Sequence, residues 1–136
     1  MAEMNERITG KLAEHLDRIS EIIDRIEEKA GELEGDTQAV DDAITVARAA
    51  VETSQEAVAE QAGKEYIIEL SDESNVKDDV QKVVTQFRTD IKATVETVRE
   101  ARQKTVDAAR ALGQAHEQST EEPETSESEE SDELGG

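Results

Sequence analysis

From Leu12 to Leu33 the apolar positions fall at Leu12, Leu16, Ile19, Ile23, Ile26, Ala30 and Leu33, steps of four and three in alternation. That is the a/d seam of a coiled-coil helix, because a repeat of 3.5 residues holds one face against a partner. Met4 and Ile8 carry the stripe towards the amino terminus by another four-residue step, which predicts a stutter ahead of the heptads. Gly35 follows the last seam position and adopts a positive φ at little cost, so the spacing predicts a first helix over about 5–34.

Asp36 or Thr37 then offers a capping oxygen to a second helix, with Asp41 and Asp42 near its positive end. Its stripe reads Val40, Ile44, Ala47, Val51, Ser54 and Val58, flanked by Ala43, Ala50 and Ala57. Small residues let helix axes approach closely but bury little area each. Between Gly63 and Asn75, Tyr66, Ile67, Ile68 and Leu70 are too crowded for a helical stripe and also suit a short strand. An isolated strand lacks a partner, so the reading favours a helix continuing past Gly63, as far as Leu70. Residues 71–75 then form the turn, and Ser74 or Asn75 caps a third helix. Its seam is the longest: Val80, Val84, Phe87, Ile91, Thr94, Val98, Ala101, Thr105, Ala108 and Leu112, broadened by Val76, Val83, Val95 and Val106. The third helix is expected over 75–112, with Gly113 as its stop.

Short connections between three long helices force antiparallel neighbours. The expected fold is all-α: an up-down-up bundle of three coiled-coil-like helices over 1–113, followed by a disordered acidic tail over 114–136. Large apolar side chains are few, and a lone bundle leaves little margin over the entropy of ordering its backbone. Self-association or a helical partner is therefore predicted, most plainly as a homo-oligomer. The seam positions Leu12, Leu16, Ile19, Ile23, Ile26, Ile44, Val51, Val84, Phe87, Ile91 and Val98 are the candidate contacts. On this reading, lysine at Ile23 or Ile91 abolishes assembly.

Charge alters this picture in two ways. The chain has 35 acids against 15 Lys and Arg, a formal charge of −20. Such a charge repels phosphate backbones and anionic membranes unless a local basic patch exists; the sequence shows no such patch, so no direct nucleic-acid role is expected. Nearly half of the excess lies in residues 114–136, which hold nine acids and no base. That segment has one Leu and no aromatic, too little apolar surface to order itself. Ser126, Ser128 and Ser131 lie among its acids as candidate acceptors for an acid-directed kinase. The body, rich in Glu, Asp, Thr, Val and Ala and poor in Lys, resembles in composition the proteins of salt-in halophilic archaea. At molar salt the Debye length falls to about 3 Å, and excess carboxylates hydrate the surface with little repulsion.

Chemistry is sparse. With no cysteine, there is no disulfide, thiolate metal site or cysteine nucleophile. No run nears the roughly 20 apolar residues of a membrane span, and no signal-peptide core opens the chain, so a soluble cytoplasmic protein is expected. His15 and His116 lack the Glu-x-x-His spacing of bundle di-metal sites, since Leu12 and Gly113 stand three residues before them. Phosphate loops, dinucleotide fingerprints and nucleophile motifs are missing. No enzyme activity and no cofactor are expected.

The segments ATVETVREARQKTVDAARALG and AITVARAAVETSQEAVAEQAG look similar to helices of phasins, which coat polymer granules; that resemblance implies an amphipathic surface coat. An acidic DNA mimic or histone-binding protein is a further reading of the charge. The Leu134-Gly135-Gly136 end resembles that of ubiquitin-like modifiers, but their β-grasp fold needs strands that this pattern does not supply. The leading expectation is a non-catalytic interaction or scaffold protein acting through heptad seams in a high-salt cytoplasm.

Overall fold

The computed structural model describes residues 1–70 and 72–119. They form three helices, α1 (Ala2–Glu32), α2 (Gln38–Ala62) and α3 (Val76–Ser119), with one 3-10 turn at Glu73–Asn75 and no strand among the described residues. Asn5 near the start of α1 is hydrogen-bonded to Gln61 in the last turn of α2, so these two helices run antiparallel. Ser54 meets Thr97 at 2.9 Å across α2 and α3. At the opposite end Lys29 and Leu33 lie beside Leu112 and His116, which sets α1 and α3 parallel. The molecule is the expected up-down-up bundle.

Its core is built from the 4,3-spaced positions. Leu16, Ile19, Ile23, Ile26 and Ala30 of α1 meet Val40, Ile44, Ala47, Val51 and Val58 of α2 and Val98, Ala101 and Ala108 of α3. The seam of α1 also runs further than its apolar residues do. Thr9 and Asn5, at steps of three and four before Leu12, are buried, whereas Met4 is exposed and Ile8 half-buried. The predicted stutter does not occur: the heptad simply changes from apolar to polar residues, and Met4 and Ile8 belong to a neighbouring stripe.

Five boundaries differ from the sequence reading. α1 begins three residues early, at Ala2, and ends at Glu32; Gly35 has the positive φ (99°) expected of it, within the loop rather than at the cap. The cap oxygen for α2 comes from Asp36, which accepts the Gln38 N–H at 3.0 Å.

α2 stops at Ala62 instead of reaching Leu70. Gly63 closes its last turn through hydrogen bonds to the carbonyls of Ala59 and Glu60, and residues 64–70 are neither helix nor strand. Beyond Gly63, Tyr66 packs its ring edge-on against Phe87 and its hydroxyl donates to Asp90, contacts that favour the extended path over another helical turn.

α3 is entered through Asp72, which accepts the Ser74 N–H (2.7 Å) and Oγ–H (2.8 Å), rather than through a Ser74 or Asn75 cap. It then runs through Gly113 to Ser119. A helical glycine costs about 1 kcal/mol, but Leu112 and Ala115 pack against the core on either side of it and hold the helix past that point. Residues 114–119, expected to open the disordered tail of 114–136, are instead the last turns of α3; the remainder of that segment, 120–136, with the kinase-type serines, lies outside the described residues.

Candidate interaction surface

The predicted seam residues are brought together inside one chain. Leu16, Ile19, Ile23, Ile26, Ile44, Val51 and Val98 lie in the shared core, with Leu12 packed against it. Phe87 is buried apart from that cluster, and Val84 and Ile91 are half-buried. The quoted phasin-like segments have their apolar stripes, Ile44, Val51, Val58, Val98 and Ala108, turned into the same core. No helix among the described residues is long and apolar enough to cross a membrane.

At the α1 start, the seam closes on a polar layer. Asn5 Nδ2 donates to the Gln61 carbonyl and Gln61 Nε2 donates to Asn5 Oδ1, both at 2.9 Å. Gln61 Nε2 also lies 2.9 Å from the Tyr66 hydroxyl, which donates to Asp90 Oδ2 at 2.7 Å. Gln86 Nε2 donates to the other Asp90 oxygen at 2.8 Å, and Lys64 Nζ stands 3.6 Å away. The Tyr66 hydrogen bond, reinforced by Gln86 and Lys64, holds the Asp90 carboxyl below its ordinary value. Burial, with the adjacent carboxylate, raises the Tyr66 phenol above its own. Gln61 Oε1 is buried without a hydrogen-bond partner among the described residues. The Tyr66 ring meets Phe87 edge-on, centroids 5.0 Å apart. The layer ties the start of α1 and the end of α2, through Tyr66, to Asp90 of α3.

Beyond it α3 outruns its neighbours. Asp90 stands level with Asn5 and Gln61, so roughly four turns of α3, about 20 Å, project past the layer. The seam keeps its phase there through Val84 and Val80, half-buried, with Val76 exposed beside it. The connecting segment adds Ile67 and Leu70, 69% and 60% exposed. Among the described residues, Ile67 and Leu70 are the most exposed large hydrophobic side chains.

A second surface was not anticipated. On α1, Glu6, Ala13, Ser20 and Glu27 flank the seam on the α2 side. The other flank therefore faces α3, and it reads Met4, Ile8, Lys11, His15, Arg18, Ile22, Arg25, Lys29 and Glu32, again spaced 4,3. On α3, Thr97 and Lys104 lie towards α2, which leaves Arg88, Lys92, Val95, Arg99, Arg102, Val106 and Ala109 towards α1. Lys29 and Ala109 line one groove, which fixes the pairing of the two stripes. In a chain with more than two acids per base, these two stripes carry eight bases and the acid Glu32, with Glu34 lining the same groove at its Lys29 end. Apart from Arg99, 3.3 Å from Glu96, none of these bases forms an ion pair among the described residues. The expectation that no basic patch exists is corrected here. Bases three and four apart on two separate helices never form a run in sequence, and only the parallel pairing of α1 with α3 gathers them.

The reading of the seams missed Asn5, Thr9, Gln61 and the basic face. The signal for the first three was present: continuing the 4,3 count from Leu12 gives Thr9 and Asn5, and from Val58 gives Gln61. Comparisons with protein-family models, curated proteins and solved structures find no match to this chain.

Proposed function

We propose that this protein is a non-catalytic helical interaction protein that self-associates through the tip where α3 outruns α1 and α2. The observation that carries this reading is the exposure of Ile67 and Leu70 beside an α3 seam that keeps heptad order after its partners have ended. A helix seam in that phase suits another helix, and a second copy supplies the same seam. Two tips meeting antiparallel form a closed, self-complementary contact of two-fold symmetry. Acid-rich flanks suit such a protein to a cytoplasm of high ionic strength, where repulsion between copies is screened.

Sedimentation equilibrium at low and at molar salt tests this. The parent chain is expected to be a dimer, and Ile67→Asp with Leu70→Asp a monomer of unchanged helical circular dichroism. A parent that remains monomeric at the highest concentration, or a double variant that sediments like the parent, sinks the reading. Lysine at Ile23 does not serve as this test, because Ile23 is fully buried within one chain and its loss reports on folding.

A further inference from the structure

We propose that the basic face between α1 and α3 is the docking surface for the chain's own acidic C-terminal segment, residues 120–136. The face is a built feature in terms of charge. Lys11, Arg18 and Arg25 on α1 and Lys92, Arg99 and Arg102 on α3 stand in matched heptad phase on exposed positions. Gathering like charges on two adjacent helices is unfavourable by itself, so the arrangement calls for an anionic occupant.

Three observations select the chain's own segment. First, residues 120–136 contain eight acids and no base, complementary in sign to the face. Second, the segment leaves α3 at Ser119, beside the Lys29 and His116 end of the same groove. From there, 17 residues at roughly 3.3–3.6 Å each reach about 56–61 Å. From Ser119 back to Arg88 the distance is about 47 Å at 1.5 Å per residue, within the reach of the segment. Third, a charge of −20 repels separate polyanions such as nucleic acid or an anionic bilayer. A tethered polyanion is not excluded in this way, because its effective concentration is of millimolar order whatever the net charge. This proposal concerns a different face from the self-association tip and does not depend on it.

The absence of cysteine makes the test clean, since Ser131→Cys introduces the single thiol of the full chain. With a nitroxide there, amide signals of residues 11–25 and 92–102 are expected to lose at least half their intensity at 20 mM salt, while the outer side of α2 keeps its own. The loss should vanish in Arg99→Glu with Arg102→Glu, in the milder Arg99→Gln with Arg102→Gln, and at 1 M salt, where the Debye length is about 3 Å. Attenuation confined to the last turns of α3, or unchanged by both pairs of substitutions, overturns the proposal. A mixture of nitroxide-bearing chain with isotope-labelled, nitroxide-free chain provides the second arm. Attenuation in that mixture places the segment on another copy and overturns docking within the chain; its absence supports it.

Discussion

Asn5 and Gln61 exchange two hydrogen bonds at a level of the seam where apolar residues would bury more surface. A buried polar pair of this kind fixes register at the expense of stability. Asn5→Ala removes the acceptor of one Gln61 Nε2–H, the other still donating to Tyr66, beside an Oε1 that already lacks a partner, and unfolding free energy should fall by about 1–3 kcal/mol. Replacing both by leucine should recover that loss or exceed it, at the risk of a slipped register; urea unfolding of the single and double variants checks both statements. Asp90 contributes to the acid limb of stability. Its folded value lies below the ordinary carboxylate value, so its contribution is complete above a pH of about 4 and is lost as pH falls through the folded value. Tyr66 acts at the other extreme: its raised value gives a contribution that is complete below about pH 10 and lost as pH rises through the folded value. Asp90→Asn should flatten the decline in stability towards low pH, and Tyr66→Phe should bring the Asp90 carboxyl back towards its ordinary value in a carbon-13 titration. An unchanged Asp90 titration in Tyr66→Phe would remove the hydrogen bond as the cause.

Helix α3 is the element on which sequence and structure diverge most usefully. Its seam was legible from Val80 to Leu112 because every step of four and three carries an apolar residue or threonine. Its two ends were not. Gly113 looked like a stop because glycine is the cheapest residue to leave a helix, but Leu112 and Ala115 are anchored on the core and outweigh that preference. A Cβ at Gly113 would meet no atom within 4 Å, so Gly113→Ala should stabilise the fold by about 0.5–1 kcal/mol. Gly35, with φ of 99°, predicts the reverse: Gly35→Ala should destabilise by about 1–2 kcal/mol, since only glycine takes that backbone without strain. Thermal melts of the two variants should shift in opposite directions. The segment 64–70 was illegible for another reason: its apolar spacing fits neither period, and its conformation is decided by Tyr66 reaching Phe87 and Asp90 across the fold.

For the whole molecule, periodicity was enough to give three helices and their order, because it is a local property repeated many times. The basic face was hidden, because it depends on which flank of α1 meets which flank of α3, and that is settled only once the bundle closes. Charge at this scale predicts salt-dependent stability. Several of the ion pairs are exposed, Arg48 with Asp24 and Glu27 among them, and are worth little, while the net repulsion of −20 acts over the entire surface. The melting temperature should therefore rise between 0.1 and 2 M potassium chloride; a fall would mean that attraction between opposite charges outweighs the excess of acids. The polar layer also gives the protein an intrinsic optical label. Tyr66 is the chain's single tyrosine and there is no tryptophan, so ultraviolet emission excited near 280 nm is dominated by one ring poised between Phe87 and Asp90. Circular dichroism sums over all three helices, whereas that emission watches one junction, so fraying of the tip and melting of the bundle are separable in a single heating run without attaching a dye.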